Sequence, residues 1–163
     1  MRVVLDEILE VEFLGDEDTG YPTGGFLAWA FERLGVTDPD RVVHLFGGAV
    51  RRGITVDLRP ETNPTHCCDV RHTPLEDGSV EWVMSDPPVS ELFNQAFYGI
   101  PNKLPTEFEI LKEVRRILKV GGCFGMMQPA VPEDIPGLVR EKTYAFTTGA
   151  PRFVCGWHVM RRV

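Results

Sequence analysis

No apolar run in this chain approaches the ~20 residues that a membrane-crossing helix needs. The start, Met1-Arg2-Val3-Val4-Leu5-Asp6-Glu7, turns acidic before any signal-like apolar stretch develops. The expectation is a soluble, cytoplasmic protein with no membrane partner. Cysteine is scarce: four in 163 residues, two of them the adjacent Cys67 and Cys68. That excludes the disulfide framework of a small secreted domain. The cluster His66, Cys67, Cys68 and His72 matches no common zinc spacing, so no metal is expected. Cys67 and Cys68 point to opposite faces if they lie in a strand, and are read as buried small hydrophobes. His44 and His158 are read as structural. Repeats, low-complexity tracts and linkers are missing too, so residues 1–163 form one domain, and 43% hydrophobic content suits a real core.

Positive charge is also in short supply, but unevenly. Residues 1–18 hold seven acids against Arg2 alone, so all but −1 of the net charge of −7 belongs to this stretch. Residues 1–22 are an acidic arm with strand-like character at Val3–Leu5 and Val11–Leu14. The body is close to neutral and keeps Arg51-Arg52, Arg115-Arg116 and Arg161-Arg162. This balance neither suggests nor excludes a nucleic-acid partner.

What is present is a series of strand-then-loop units. Thr23 can cap a helix over Gly24–Leu34, stopped by Gly35. Val42–Phe46 reads as a buried strand running into Gly47-Gly48, Gly53–Leu58 as a second strand, and Thr65–Val70 as a third. Val80–Met84 is a fourth, cut off at Ser85-Asp86-Pro87-Pro88, because consecutive prolines donate no backbone hydrogen bonds. Ser90–Tyr98 reads as a short helix. Thr106 and Glu109 form a capping box for a helix over Thr106–Lys119, with Gly121-Gly122 as its stop. Cys123–Met127 is a further strand, and Lys142–Thr148 with Phe153–Met160 make an antiparallel hairpin. The pattern predicts a mostly parallel α/β sheet with an antiparallel edge.

Ligands of such sheets bind at the carboxyl ends of the strands. Asp57, Asp69 and Asp86 each close a predicted strand there, and Gly47-Gly48 would let a ligand approach the backbone. Each acid taken singly is an ordinary loop residue; the set is what suggests a site.

From about residue 40 onward the chain resembles the small class I S-adenosylmethionine-dependent methyltransferases of the Asp-Pro-Pro type, which methylate amino groups of nucleic acid. The stretch Leu75–Pro88 carries the resemblance most specifically, followed by Glu113–Gly122. The resemblance implies a Rossmann-like fold with S-adenosylmethionine as cofactor. Gly47 and Gly48 would meet its methionine part, Asp57 its ribose, and Asp69 with Val70 its adenine. Phe46, Leu58 and Ser85 would complete the cofactor set. Asp86 and the Pro87 carbonyl, at the corner closed by Pro88, would accept hydrogen bonds from an amine on DNA or RNA. Val89, which stands where the pattern usually has an aromatic residue, would face the base with Phe93 and Tyr98. Two other readings stay open: a non-catalytic binding or regulatory subunit of this fold, and a methyltransferase acting on protein or a small molecule.

The segments Ala49–Arg52 and Arg59–Pro64 are too short for the helices that normally cover one face of such a sheet. Strands Val42–Phe46 and Ile54–Leu58 are therefore expected to be partly bare, and a homodimer is expected to cover them.

Overall fold

The computed structural model describes residues 7–9, 25–88, 90, 103–148 and 153–163. One eight-stranded sheet, in the order β1-β7-β8-β6-β5-β2-β3-β4, organises them. The strands are β1 (Glu7–Leu9), β2 (Val43–Leu45), β3 (Ile54–Asp57), β4 (His66–Cys67), β5 (Val80–Ser85), β6 (Leu118–Gln128), β7 (Leu138–Thr148) and β8 (Phe153–Arg162). From β6 through β4 every neighbouring pair is parallel. β8 runs antiparallel to both β6 and β7, while β1 joins β7 in parallel. The mostly parallel sheet with an antiparallel hairpin is as the sequence predicts. β1, by contrast, lies between the two stretches singled out in the arm; both of those fall outside the described residues, as do Thr23, Val89, Phe93, Tyr98 and most of the Ser90–Tyr98 helix.

Among the described residues, two α-helices cover opposite faces. In α1 (Phe26–Leu34) the residues Phe26, Ala30 and Leu34 recur every four positions and are buried. Gly35 ends the helix with φ 66°, and the amides of Gly35 and Val36 close back on Glu32 and Phe31. The α1 face packs on Trp82, Met84, Met127 and Trp157, with the Phe26 ring edge-on to Trp157 at 5.2 Å. The second helix, α2 (Glu107–Ile117), carries the expected capping box between Thr106 and Glu109. It buries Ile110, Leu111, Val114 and Ile117 against Val83, Phe124 and Met126 on the other face. Alternate side chains of β6 thus serve two cores, as a doubly covered sheet requires.

Four expectations need correction. The third strand shrinks to His66–Cys67, so Asp69 lies beyond it rather than closing it. Cys67 is exposed and Cys68 half-buried, not buried hydrophobes. Helix α2 does not run to Gly121-Gly122: Leu118 turns extended (φ −63°, ψ 141°) and enters β6, opposite Val80 of β5. Finally, the short connectors leave little of these strands bare: Ile54 is half-buried and Leu58, just past β3, is exposed. Val43, His44, Leu45 and Val56 are fully buried. The 46–53 connector folds Val50 into the α1-side core, and the Thr65 hydroxyl accepts the Thr55 amide while Thr55 Oγ accepts the Thr65 amide. Val50 and a two-point hydroxyl clasp stand where such sheets normally carry a helix.

Candidate functional site

Strand order reverses between β2 and β5: β2 leads on to β3 on one side, β5 to β6 on the other. The crevice above the carboxyl ends of two such strands is where open α/β sheets take ligands. Register places Leu45 beside Ser85, so Phe46-Gly47-Gly48 and Ser85-Asp86-Pro87-Pro88 leave the sheet side by side.

The β2 exit is a tight left-handed bend, with Phe46 at φ 58° and Gly48 at φ 49°. A positive φ at Phe46 is costly for a bulky residue and marks a position that its surroundings over-determine. Gly47 is required for an internal reason: a Cβ there would come within 2.9 Å of the Thr55 Cβ. Its amide donates to the Val56 carbonyl at 3.1 Å, which ties the bend to β3.

Asp57, at the end of β3, is the most heavily engaged acid of the three. It accepts hydrogen bonds from the Gly48 amide, the Arg59 amide, and the Arg59 guanidinium through both Nε and Nη2, all within 3.0 Å. Burial alone would raise its carboxyl, yet these donors together hold it below the usual carboxylate value. Asp69 repeats the device, taking the Arg71 amide, Nε and Nη2. The Arg71 guanidinium holds its carboxyl low as well. Both clasps come from the same local pattern, Asp-Leu-Arg and Asp-Val-Arg, in which an arginine two residues on folds back. The guanidinium fork matches a carboxylate edge, so each acid is bound bidentately.

Asp86 has no such partner, since two residues on stands Pro88. No hydrogen bond or ion pair reaches its carboxyl among the described residues, and it is half-buried with Pro87 and Pro88. Burial pushes this carboxyl up to about 7. Beside it, the Ser85 hydroxyl is fully buried and makes no hydrogen bond among the described residues. A buried polar atom without a partner costs about 1–3 kcal/mol, which a ligand at the crevice would recover. Burial, then the Asp86 charge, push the Cys155 thiol of β8 upward, so β8 also borders this corner.

The structure therefore brings Phe46, Gly47, Gly48, Asp57, Ser85, Asp86, Pro87 and Pro88 to one edge. Leu58 follows Asp57 there and is exposed, whereas Val70 is buried in the α2-side core. The sequence reading picked out the acids and passed over Arg59, Arg71 and Cys155. The repeated Asp-x-Arg spacing was the signal that would have found the first two.

Neither a family model nor a curated protein sequence matches the chain. Its fold does match solved structures. It aligns with TrmN from Thermus thermophilus at TM-score 0.59 and 16% identity, over 84% of this chain and 48% of that one, so this chain spans about half the length of TrmN. It aligns with the geranyl diphosphate C-methyltransferase from Streptomyces coelicolor A3(2), solved with Mg2+, geranyl-S-thiolodiphosphate and S-adenosyl-L-homocysteine. There the TM-score is 0.60 at 12% identity, over 94% of this chain and 87% of that one. A third match is the complex of the Haloferax volcanii Trm112 methyltransferase activator with a putative methyltransferase, at TM-score 0.55 and 16% identity, covering 83% and 87% of the two chains. Identities this low establish a shared architecture: the sheet is that of the Rossmann-like methyltransferases.

Proposed function

We infer that this chain is an S-adenosylmethionine-dependent methyltransferase that acts on an amino group, with a nucleic-acid base as the acceptor. The observation that carries this is Asp86: of the acids along the ligand edge, it alone among the described residues keeps its oxygens uncommitted, at the switch-point crevice beside an unpartnered Ser85 hydroxyl. The shared sheet supports the cofactor, since structures of that architecture were solved with S-adenosyl-L-homocysteine and with SAM.

The residues present fit this cofactor at the β2–β5 crevice and strain the fit at the ribose. The Phe46-Gly47-Gly48 bend and Ser85 would hold the methionine part. Asp57 can reach ribose hydroxyls only if Arg59 swings away, because four donors already occupy its oxygens. When bound, the cofactor supplies an electrophilic sulfonium methyl. The base amine is a weak nucleophile because its lone pair is delocalised into the ring. Asp86 in its ionised form, with the Pro87 carbonyl, accepts the two amine hydrogens and favours a pyramidal nitrogen whose lone pair is free to attack. Pro87 and Pro88 fix the backbone so that these acceptors stay in place. After transfer, the aminium proton passes to the Asp86 carboxylate.

The clasp on Asp57 favours a second reading, a member of the fold that binds without turnover. A homodimer across an uncovered sheet face is not carried forward, because the strands it needed bare are buried. Two measurements decide. Calorimetry with S-adenosylmethionine and S-adenosylhomocysteine should show binding, and Arg59→Ala should bind at least as tightly by releasing Asp57. Tritiated-methyl transfer to RNA, DNA and protein mixtures should label nucleic acid, and Asp86→Ala should abolish the label while cofactor affinity stays within about twofold. Binding without label on any of these acceptors would leave the non-catalytic reading or a small-molecule acceptor, and no binding at millimolar cofactor would end the methyltransferase reading and select the non-catalytic one.

A further inference from the structure

Helix α2 borders a cleft of about 700 Å³ that lies away from the strand-end crevice. Its cations are Arg71, Lys112, Arg115, Arg116 and Arg162, an excess over the three carboxylates that share the lining. Those carboxylates are already spent. Glu113 is buried and bound to Arg116 and to the Thr73 amide and hydroxyl. Asp77 takes Arg116, and Glu109 takes the Thr106 amide of the capping box.

Three cations are left without a carboxylate among the described residues. Arg162 binds carbonyls at the end of α2, those of Arg116 and Leu118. Arg115 lies along the Gly137 backbone, so close that a Cβ on Gly137 would come within 2.8 Å of its Nε. Lys112 and Arg115 are both exposed. The body of the chain outside the acidic arm is close to neutral, so this cleft concentrates positive charge. One turn before Lys112 on the same helix, Phe108 is 57% exposed. Cations in a row with an exposed aromatic ring at one end are the two parts of a single-strand nucleic-acid track: charges for phosphates, a ring for a base.

The direction of α2 links this track to the crevice. Its last turn leads into Leu118, opposite Val80 at the start of β5, so the carboxyl end of the helix lies at the edge away from the ligands. Its first residue, Glu107, accepts a hydrogen bond from Gln128 at the far end of β6, which is the ligand edge. A strand laid over Phe108 and then Lys112 and Arg115 would thus run down from the edge where Asp86 sits.

We propose that this cleft and the adjoining face of α2 hold the sugar-phosphate backbone of a single-stranded nucleic acid, with Phe108 stacking a base beside the one presented to Asp86. The proposal rests on the nucleic-acid reading above, and the experiment separates the two. Fluorescence anisotropy with a 20-nucleotide single-stranded RNA, from 50 to 300 mM salt, is run alongside cofactor calorimetry. Lys112→Glu/Arg115→Glu should weaken RNA binding at least tenfold and, by removing two phosphate contacts, lower the log–log salt slope by about 1.4. The milder Lys112→Gln/Arg115→Gln pair should show the same slope change with a smaller loss. Phe108→Ala should weaken binding about five- to a hundredfold with the slope unchanged. Cofactor affinity should stay at the wild-type value in all three. RNA binding that survives both pairs unchanged, or wild type that binds polyglutamate as well as RNA, overturns the proposal while leaving the methyltransferase reading intact. Loss of cofactor binding by wild type overturns that reading first, and the track's slope change still stands or falls by itself.

Discussion

Asp57, Asp69 and Asp86 share a side chain and an edge of the sheet, but their chemistry is set by the residue two positions on. Arginine there folds back into a bidentate ion pair; proline leaves a half-buried carboxyl with no cation on it among the described residues. Burial raises the Asp86 carboxyl from 3.8 to about 7, so the folded state holds a proton that the unfolded state has released between those values. Its contribution to stability is complete below pH 3.8 and disappears as pH rises through 7. Asp86→Asn should therefore stabilise the protein at pH 8, by roughly 1–3 kcal/mol, and leave it unchanged at pH 3. Urea unfolding at both values checks this. A variant that loses transfer and gains stability is the signature of a residue held for function. Transfer in wild type should in turn rise with pH to a plateau with a midpoint near 7, as the Asp86 carboxyl ionises. At this scale the sequence showed the acids and their common edge. It also contained the Asp-x-Arg pattern, but whether an arginine folds back on its acid or reaches solvent depends on backbone direction after the strand.

Elements were legible where the deciding interactions are local. The capping box of α2 is a four-residue device, and the structure has both of its hydrogen bonds, with Thr106 Oγ1 accepting the Glu109 amide at 3.2 Å and the Thr106 amide donating to Glu109 at 2.7 Å. Thr106→Ala should cost about 0.5–2 kcal/mol, measured by chemical denaturation. The end of the same helix was not legible, and the reason is distance along the chain. Its terminal carbonyls are taken by Arg162, on β8, so no glycine is needed to stop it. Gly121 and Gly122 instead serve inside β6, where a Cβ on Gly122 would come within 3.0 Å of the Glu81 carbonyl. Gly125 has a similar role, since a Cβ there would clash with the Trp157 ring. Gly125→Ala should therefore cost more than the usual overpacking penalty of about 1–3 kcal/mol, with loss of the near-ultraviolet circular dichroism from Trp157 as the accompanying sign.

At the scale of the whole molecule, two titratable groups that burial shifts work against each other. His44 lies at the centre of the sheet, and burial lowers it from 6.5 to about 4. The unfolded chain takes up its proton first as pH falls, so this contribution is complete above 6.5 and is lost on the way down to 4, about 3 kcal/mol in all. Asp86 changes in the opposite sense over nearly the same range. Wild-type stability between pH 4 and 6.5 should thus be flatter than either group alone would make it. His44→Asn should leave stability falling as pH rises across that range, and Asp86→Asn should leave it rising. Fold class was readable at this scale because alternating strands and loops constrain it strongly. The covered face was not, because its cover comes from Val50 and the Thr55–Thr65 clasp, which no periodic pattern announces.

The last strand in sequence, β8, is not at the margin of the sheet: it fills the space between β6 and β7. On the ribosome, β7 and the β1 strand attached to it pair with no other strand of the described sheet until β8 has left the exit tunnel. Up to that moment β6 presents an open edge on a growing chain, the condition in which nascent β proteins pair with the wrong partner. Closure is a single late event that joins both halves of the sheet. A stalled or truncated chain lacking residues 153–162 should therefore be a client of chaperones and proteases rather than a smaller version of the same fold.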